Sequence, residues 1–129
     1  MSRTVDLFID SDQPLEQVAL QLSELAERPL TVCADRSRWV MRDAGVTAYL
    51  AEHDFLDDDE LPLSEFRYVL SASVKGAGDI DDSPEVACLR RVNARVRERA
   101  QLPSLLVIDL ERPDGALPGA PRSVGGEVA

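Results

Sequence analysis

"SEFRYVLSASVKG", Ser64 to Gly76, is the stretch whose reading decides the fold. Phe66, Tyr68, Leu70, Ala72 and Val74 alternate with Arg67, Val69, Ser71, Ser73 and Lys75. Successive side chains of a strand point to opposite faces, so one apolar row and one mostly polar row predict a half-exposed antiparallel strand. Such a strand requires a sheet with one covered face, and the rest of the chain must supply both its neighbours and its cover.

Downstream, Gly76 to Asp82 reads as a turn. Ser83-Pro84-Glu85 then offers a cap, a first-turn proline and an early acid, the start of a helix. Val86, Leu89, Val92 and Val96, with Cys88 and Ala100 alongside, form its apolar stripe. Pro103 ends it, and the unbroken apolar run "LLVIDL", Leu105 to Leu110, predicts a strand covered on both faces and set inside the sheet. From Pro113 onward the chain is rich in proline and glycine and lacks a period. Residues 1–112 are therefore expected as one compact domain and 113–129 as a disordered tail.

Upstream, "TVDLFID", Thr4 to Asp10, reads as a strand with Val5, Leu7 and Ile9 on one side and Phe8 on the other. Pro14 suits a helix first turn, with Asp12 or Gln13 as cap. Leu15, Val18, Leu22 and Leu25 make the buried stripe, and Pro29 closes the helix. Leu30 to Ala34 is a short strand. Trp39 to Arg42 and Val46 to Glu52 form a hairpin about Asp43 to Gly45. The order β-α-β-β-β-β-α-β gives an α+β class, a single domain with a mixed, mostly antiparallel sheet. Both helices are expected on one face, because only two apolar stripes exist to cover it. The plan is similar to a ferredoxin-type split β-α-β with an added hairpin, in which first and last strands lie centrally.

Between the hairpin and the decisive strand lies the longest break, residues 53 to 63. It holds Asp54, then Asp57, Asp58, Asp59 and Glu60 in succession, with no base among them. Consecutive carboxylates repel one another, so a cation, a basic partner or solvation must absorb the repulsion. The chain of 129 residues has net charge -10. Residues 1–82 carry 18 acids against 7 bases, whereas the remainder carries 6 against 7. That balance opposes nucleic acid and anionic membrane, and favours a basic protein surface.

Specific chemistries fit the spacing poorly. A calcium loop started at Asp57 puts Leu61 and Pro62 at its fifth and sixth positions; started at Asp79, it puts Pro84 at the sixth and Arg90 at the twelfth. A looser site joining Asp54, Asp58 and Asp79 would need those loops to meet. Paired-acid catalysis needs separated carboxylates across a cleft, and these are adjacent. His53 is the single histidine; Ser71 or Ser73 could approach it, but no GxSxG turn supports a nucleophile. Gly76 and Gly78 lack a third glycine and are followed by acids, which opposes phosphate binding. Cys33 and Cys88 are far apart without a CxxC or Cys/His spacing, the pattern of two reduced, buried thiols. No catalytic, metal or cofactor-binding residue is therefore assigned, and no cofactor is expected. Near Met1, Arg3 and Asp6 interrupt the apolar stretch, so neither a signal sequence nor a membrane span is expected, and a cytoplasmic location follows.

The size, the α+β order bounded by "VDLFID" and "LLVIDL", and the acidic stretch Asp54 to Glu60 together resemble small acidic immunity proteins that neutralise secreted toxins, over about residues 4–111. The resemblance implies a carboxylate plug for a basic toxin active site, with Asp57, Asp58, Asp59 and Glu60 matching the basic cleft. The expected function is thus a non-enzymatic protein-binding module. Its partner-binding residues are Asp54, Asp57, Asp58, Asp59, Glu60 and Trp39, the last joined by Tyr49 and Tyr68 on an exposed sheet face. Two other functions fit the same residues: a ligand-binding or enzymatic pocket near His53, and a subunit that self-associates through an uncovered sheet face.

Overall fold

The structure, a computed structural model, describes residues 3–53, 63–76 and 78–108, with the backbone of 112 and 113. Seven strands and two helices follow one another: β1 (Arg3–Ile9), α1 (Leu15–Ala26), β2 (Leu30–Val32), β3 (Trp39–Asp43), β4 (Val46–Glu52), β5 (Tyr68–Val74), α2 (Pro84–Arg95), β6 (Ser104–Ile108) and the two-residue β7 (Arg112–Pro113). The α+β single-domain build read from the sequence is present. The strands form one sheet in the order β2-β3-β4-β5-β1-β6-β7. Every pairing is antiparallel, more uniform than the mixed sheet expected.

β1 lies between β5 and β6, in register Leu7↔Leu70 on one side and Leu7↔Leu106 on the other. Both neighbours run opposite to β1 and so run parallel to each other. The path β5-α2-β6 is therefore a β-α-β unit split by the first strand of the chain. β2 to β5 form a meander on the far side. β6 is covered on both faces, as its unbroken apolar run requires, and the ladder reaches Pro113, one residue into the expected tail.

Local chemistry accounts for the element ends. Ser83 caps α2, its Oγ accepting from the Val86 amide at 3.2 Å ahead of Pro84 in the first turn. α1 departs from expectation at its start: Pro14 itself stands at the cap position with no side-chain cap. At its end Glu27 is left-handed (φ 59°), and the Arg28 amide reaches back to the Ser23 carbonyl. The hairpin turn places Ala44 and Gly45 both at positive φ, 51° and 86°, the two-residue turn whose twist matches its strands.

The main core joins Val5, Leu7 and Ile9 to the stripes of both helices, Val18, Leu22, Val86, Leu89, Val92 and Val96 among them. A second, smaller cluster lies on the opposite side of β1: Phe8, Phe66, Val69, Leu105 and Val107. Two expectations change here. Phe66 does not continue the row of Tyr68, Leu70 and Ala72, because β5 begins only at Tyr68 after a 3₁₀ turn at Leu63–Glu65. Val69, expected exposed, is buried by this cluster, so the sheet face away from the helices is covered over β1 and β6.

Tyr68 is wholly buried and its hydroxyl donates to the Gln13 carbonyl, tying β5 to the entrance of α1. At the other end of the sheet Asp43 accepts from Arg28 of the α1 exit and from Arg91 of α2, each at 2.9 Å. One carboxylate, 12% exposed, thus links the hairpin to both helices.

Replacing Asp43 with Ala should lower unfolding stability by about 1 kcal/mol, since both arginines are half-exposed and their release is partly compensated by water. A double-mutant cycle with Arg91→Ala reads the coupling; additive losses would show that the pair contributes nothing. Burial raises the Tyr68 phenol above its ordinary value, against the opposing charge of Arg67. A raised folded pKa favours the protonated phenol, so this contribution is complete below about pH 10 and lost as pH rises through the folded value. Tyr68→Phe should cost about 1 kcal/mol at neutral pH and soften the alkaline loss of stability. Urea midpoints on either side of that range measure both effects, and an unchanged alkaline slope would refute the assignment.

Candidate functional site

Asp54, Asp57, Asp58, Asp59 and Glu60 lie outside the described residues. The surfaces from which that segment departs and to which it returns are described. β4 delivers it at Glu52 and His53, and β5 receives it through the 3₁₀ turn Leu63–Glu65, Phe66 and Arg67. The two strands pair as far as the rung Glu52↔Tyr68, and the His53 amide donates to the Arg67 carbonyl at 3.4 Å. Arg67 is 3.7 Å from Glu52, a partly exposed ion pair, and its guanidinium lies 5.1 Å from the Tyr68 ring centre.

His53 packs edge-on to Phe8, ring centres 4.9 Å apart, and Phe66 lies on the same phenyl ring at 6.5 Å. The histidine is thus part of the small aromatic cluster on the β1–β6 side. Ser71 faces this side at the rung Asp6↔Ser71, and Ser73 two rungs further, opposite Thr4. Asp6 is buried and accepts from the Thr4 hydroxyl at 2.9 Å.

Beside Phe66 opens a cleft of about 650 Å³. Its walls are Asp10 from the end of β1, Glu65 and Phe66 from the returning segment, and Arg97, Gln101, Leu102 and Pro103 from the exit of α2. The exit has an unusual backbone: Val96–Ala100 forms a π turn, and Gln101 is left-handed at φ 57°. Wide turns of this kind re-aim side chains and recur at functional positions. Here the turn brings Arg97 to Ser104, Nε donating to the Ser104 hydroxyl at 3.1 Å and Nη2 to its carbonyl at 2.9 Å. The Ser104 hydroxyl in turn donates to Asn93 Oδ1 at 2.6 Å, inside the fold. The guanidinium is therefore held by a fully buried serine, and its position at the cleft wall is fixed by packing.

Trp39 stands at the start of β3, opposite Leu50 and Val32, half-buried against the helix-bearing core. It does not share a face with Tyr49, which points to the opposite side beneath Arg38 at 4.6 Å. Tyr68, expected beside them on an exposed face, is wholly buried. Cys33 is half-buried and Cys88 buried; burial pushes the Cys88 thiol up, away from a reactive thiolate. Among the described residues, no group of three or more His, Cys, Asp or Glu is placed to hold a metal ion. Among them, too, no helix is long and apolar enough to cross a membrane.

The polar triad Asn93, Arg97 and Ser104 was not singled out from the sequence, where Arg97 falls outside the apolar stripe of α2. Its one signal was Ser104 itself, a polar residue leading a run covered on both faces. Comparison with protein-family models, with curated proteins and with solved structures finds no match.

Ser104→Ala removes the donor to Asn93 and one acceptor of Arg97 while keeping the strand. The expected loss is about 1–3 kcal/mol, the penalty for leaving buried polar groups unmet. Chemical denaturation checks it, and a neutral result would show that the triad contributes no net stability.

Proposed function

We propose that this protein is a non-enzymatic protein-binding module that receives a basic protein surface on Asp54, Asp57, Asp58, Asp59 and Glu60, in the manner of an immunity or inhibitor protein. The observation that supports this reading is the pairing of the strands that flank the acidic segment in sequence. β4, which precedes it, and β5, which follows it, are hydrogen-bonded as far as the rung Glu52↔Tyr68, so the chain on either side of the segment is anchored in neighbouring strands of a packed sheet. Anchored ends limit the chain entropy that the segment must lose on docking, while its charges steer a basic partner from a distance. Trp39, at the start of β3 and opposite Leu50 near the end of β4 from which the acidic segment continues, would add an aromatic contact to the same partner.

A second reading is small-ligand binding, favoured by the cleft beside Phe66 and its fixed Arg97. It is weaker in one respect: the cleft walls do not include His53, the group on which catalysis near neutral pH would depend.

The test is capture from the native cells with the tagged full chain and with its Asp57→Asn/Asp58→Asn/Asp59→Asn variant. The expected outcome is a basic protein retained by the wild-type chain, released by added salt, and weakened by about tenfold or more in the variant. Equal retention by both, or retention that salt leaves untouched, would remove the acidic segment from the account.

A further inference from the structure

Among the described residues most arginines are engaged. Arg28 and Arg91 pair with Asp43, Arg67 with Glu52, and Arg90 with Asp81. Arg3, Arg95 and Arg97 are bound to backbone carbonyls. Arg36, Arg38, Arg42 and Arg99 differ: none has a carboxylate at ion-pair distance among the described residues, and all four are exposed. In a chain with 24 acids against 14 bases, two of them, Arg38 and Arg42, stand on one side of one sheet.

Both arginines project from the side of the meander that faces away from the helices. Arg42 stands opposite Thr47, and Val40 between them stands opposite Tyr49. Arg38 lies over the Tyr49 ring, 4.6 Å from its centre, a cation–π contact that holds the guanidinium on this side of the sheet. The rest of this side from β2 to β5 consists of Thr31, Ala51, Val69, Ser71 and Ser73, as the strand registers place them. It carries no carboxylate. Two described acids border it: Asp6, buried on β1 across the rung from Ser71, and Asp35, in the turn before β3. The charge of Asp35 is held by the Ser37 amide and hydroxyl, and Arg38 adds to that stabilisation. The covered half of the same sheet face, over β1 and β6, ends at Val69.

We propose that this open half is a second docking surface, built for an extended acidic segment of another protein. Arg42 lies on β3 and Arg38 immediately before it, four positions away along an extended chain, so their Cα atoms are about 13 Å apart. An extended peptide whose carboxylates recur on one side at the same strand spacing meets both, with Tyr49 between them and the serine and threonine hydroxyls beside. Nucleic acid is the less suitable polyanion. Its continuous charge must approach a molecule of net charge -10, whereas a short acidic segment presents its charge only to the patch. This surface is distinct from the acidic segment of the preceding section and does not depend on it.

The test uses the full chain and three labelled probes in fluorescence anisotropy at low salt: a peptide of alternating Glu and Ser, its Gln-Ser counterpart, and oligothymidylate of matched charge. The Glu-Ser peptide should bind, the Gln-Ser peptide should not, and Arg38→Gln/Arg42→Gln should weaken binding by about tenfold. Arg99→Gln, on the exit of α2, and the Asp57→Asn/Asp58→Asn/Asp59→Asn variant should both bind the peptide no more weakly than the wild-type chain. That last comparison separates failure here from failure of the acidic segment. Circular dichroism monitors the fold, and Arg42→Gln alone carries the test if the double variant is unstable. Absence of peptide binding, equal binding by the arginine variants, or tighter binding of oligothymidylate through the same arginines would each overturn the proposal.

Discussion

Everything in this fold depends on β1 being hydrogen-bonded on both sides. The first strand pairs Arg3 with Val74 and Val5 with Ile108, so the earliest segment of the chain cannot find its place until β5 and β6 exist. Its two rows then divide the molecule. Val5, Leu7 and Ile9 seat both helices, while Phe8 seats Phe66, Val69, Leu105 and Val107 on the opposite side. Pairings of such sequence separation make folding slow relative to a helical bundle of the same size, because loop closure precedes the contacts that reward it.

Charge is distributed around that frame with a recognisable logic. Where bases and acids meet, they tie elements together: Asp43 holds Arg28 and Arg91, and Glu52 faces Arg67 at the base of the acidic connection. Where they do not meet, the two signs are kept apart. Five carboxylates fall within Asp54 to Glu60, in the connection between β4 and β5, while Arg38 and Arg42, at and just before β3, stand on the side of the sheet away from the helices.

The fold was legible in the sequence wherever a period was clean. The alternation from Tyr68 to Val74, the stripes of both helices and the unbroken run after Pro103 each correspond to the element they implied, and Ser83-Pro84 is a helix start as read. Failures came where one residue had to be assigned without its neighbours. Phe66 matched the period of β5 but lies between the 3₁₀ turn Leu63–Glu65 and the start of β5 at Tyr68, and it packs on the opposite side. Trp39 and Tyr49 both lie in the hairpin, yet a strand's two-residue period sets them on opposite faces. Strand order was beyond any local signal, since nothing in "VDLFID" tells that it is bordered by strands from the second half of the chain. Of the proposed site, the charge was plain from the sequence, whereas the Asn93–Arg97–Ser104 arrangement depends on a π turn that has no sequence period of its own.

The most direct measurement is the hydrogen-exchange footprint of the complex between this chain and the basic protein it is proposed to bind. The account predicts slowed exchange between Glu52 and Arg67, where β4 and β5 pair at the rung Glu52↔Tyr68, and no change on the outer surface of α1. Slowed exchange confined to α1 or α2, with the connection between β4 and β5 unaffected, would contradict it.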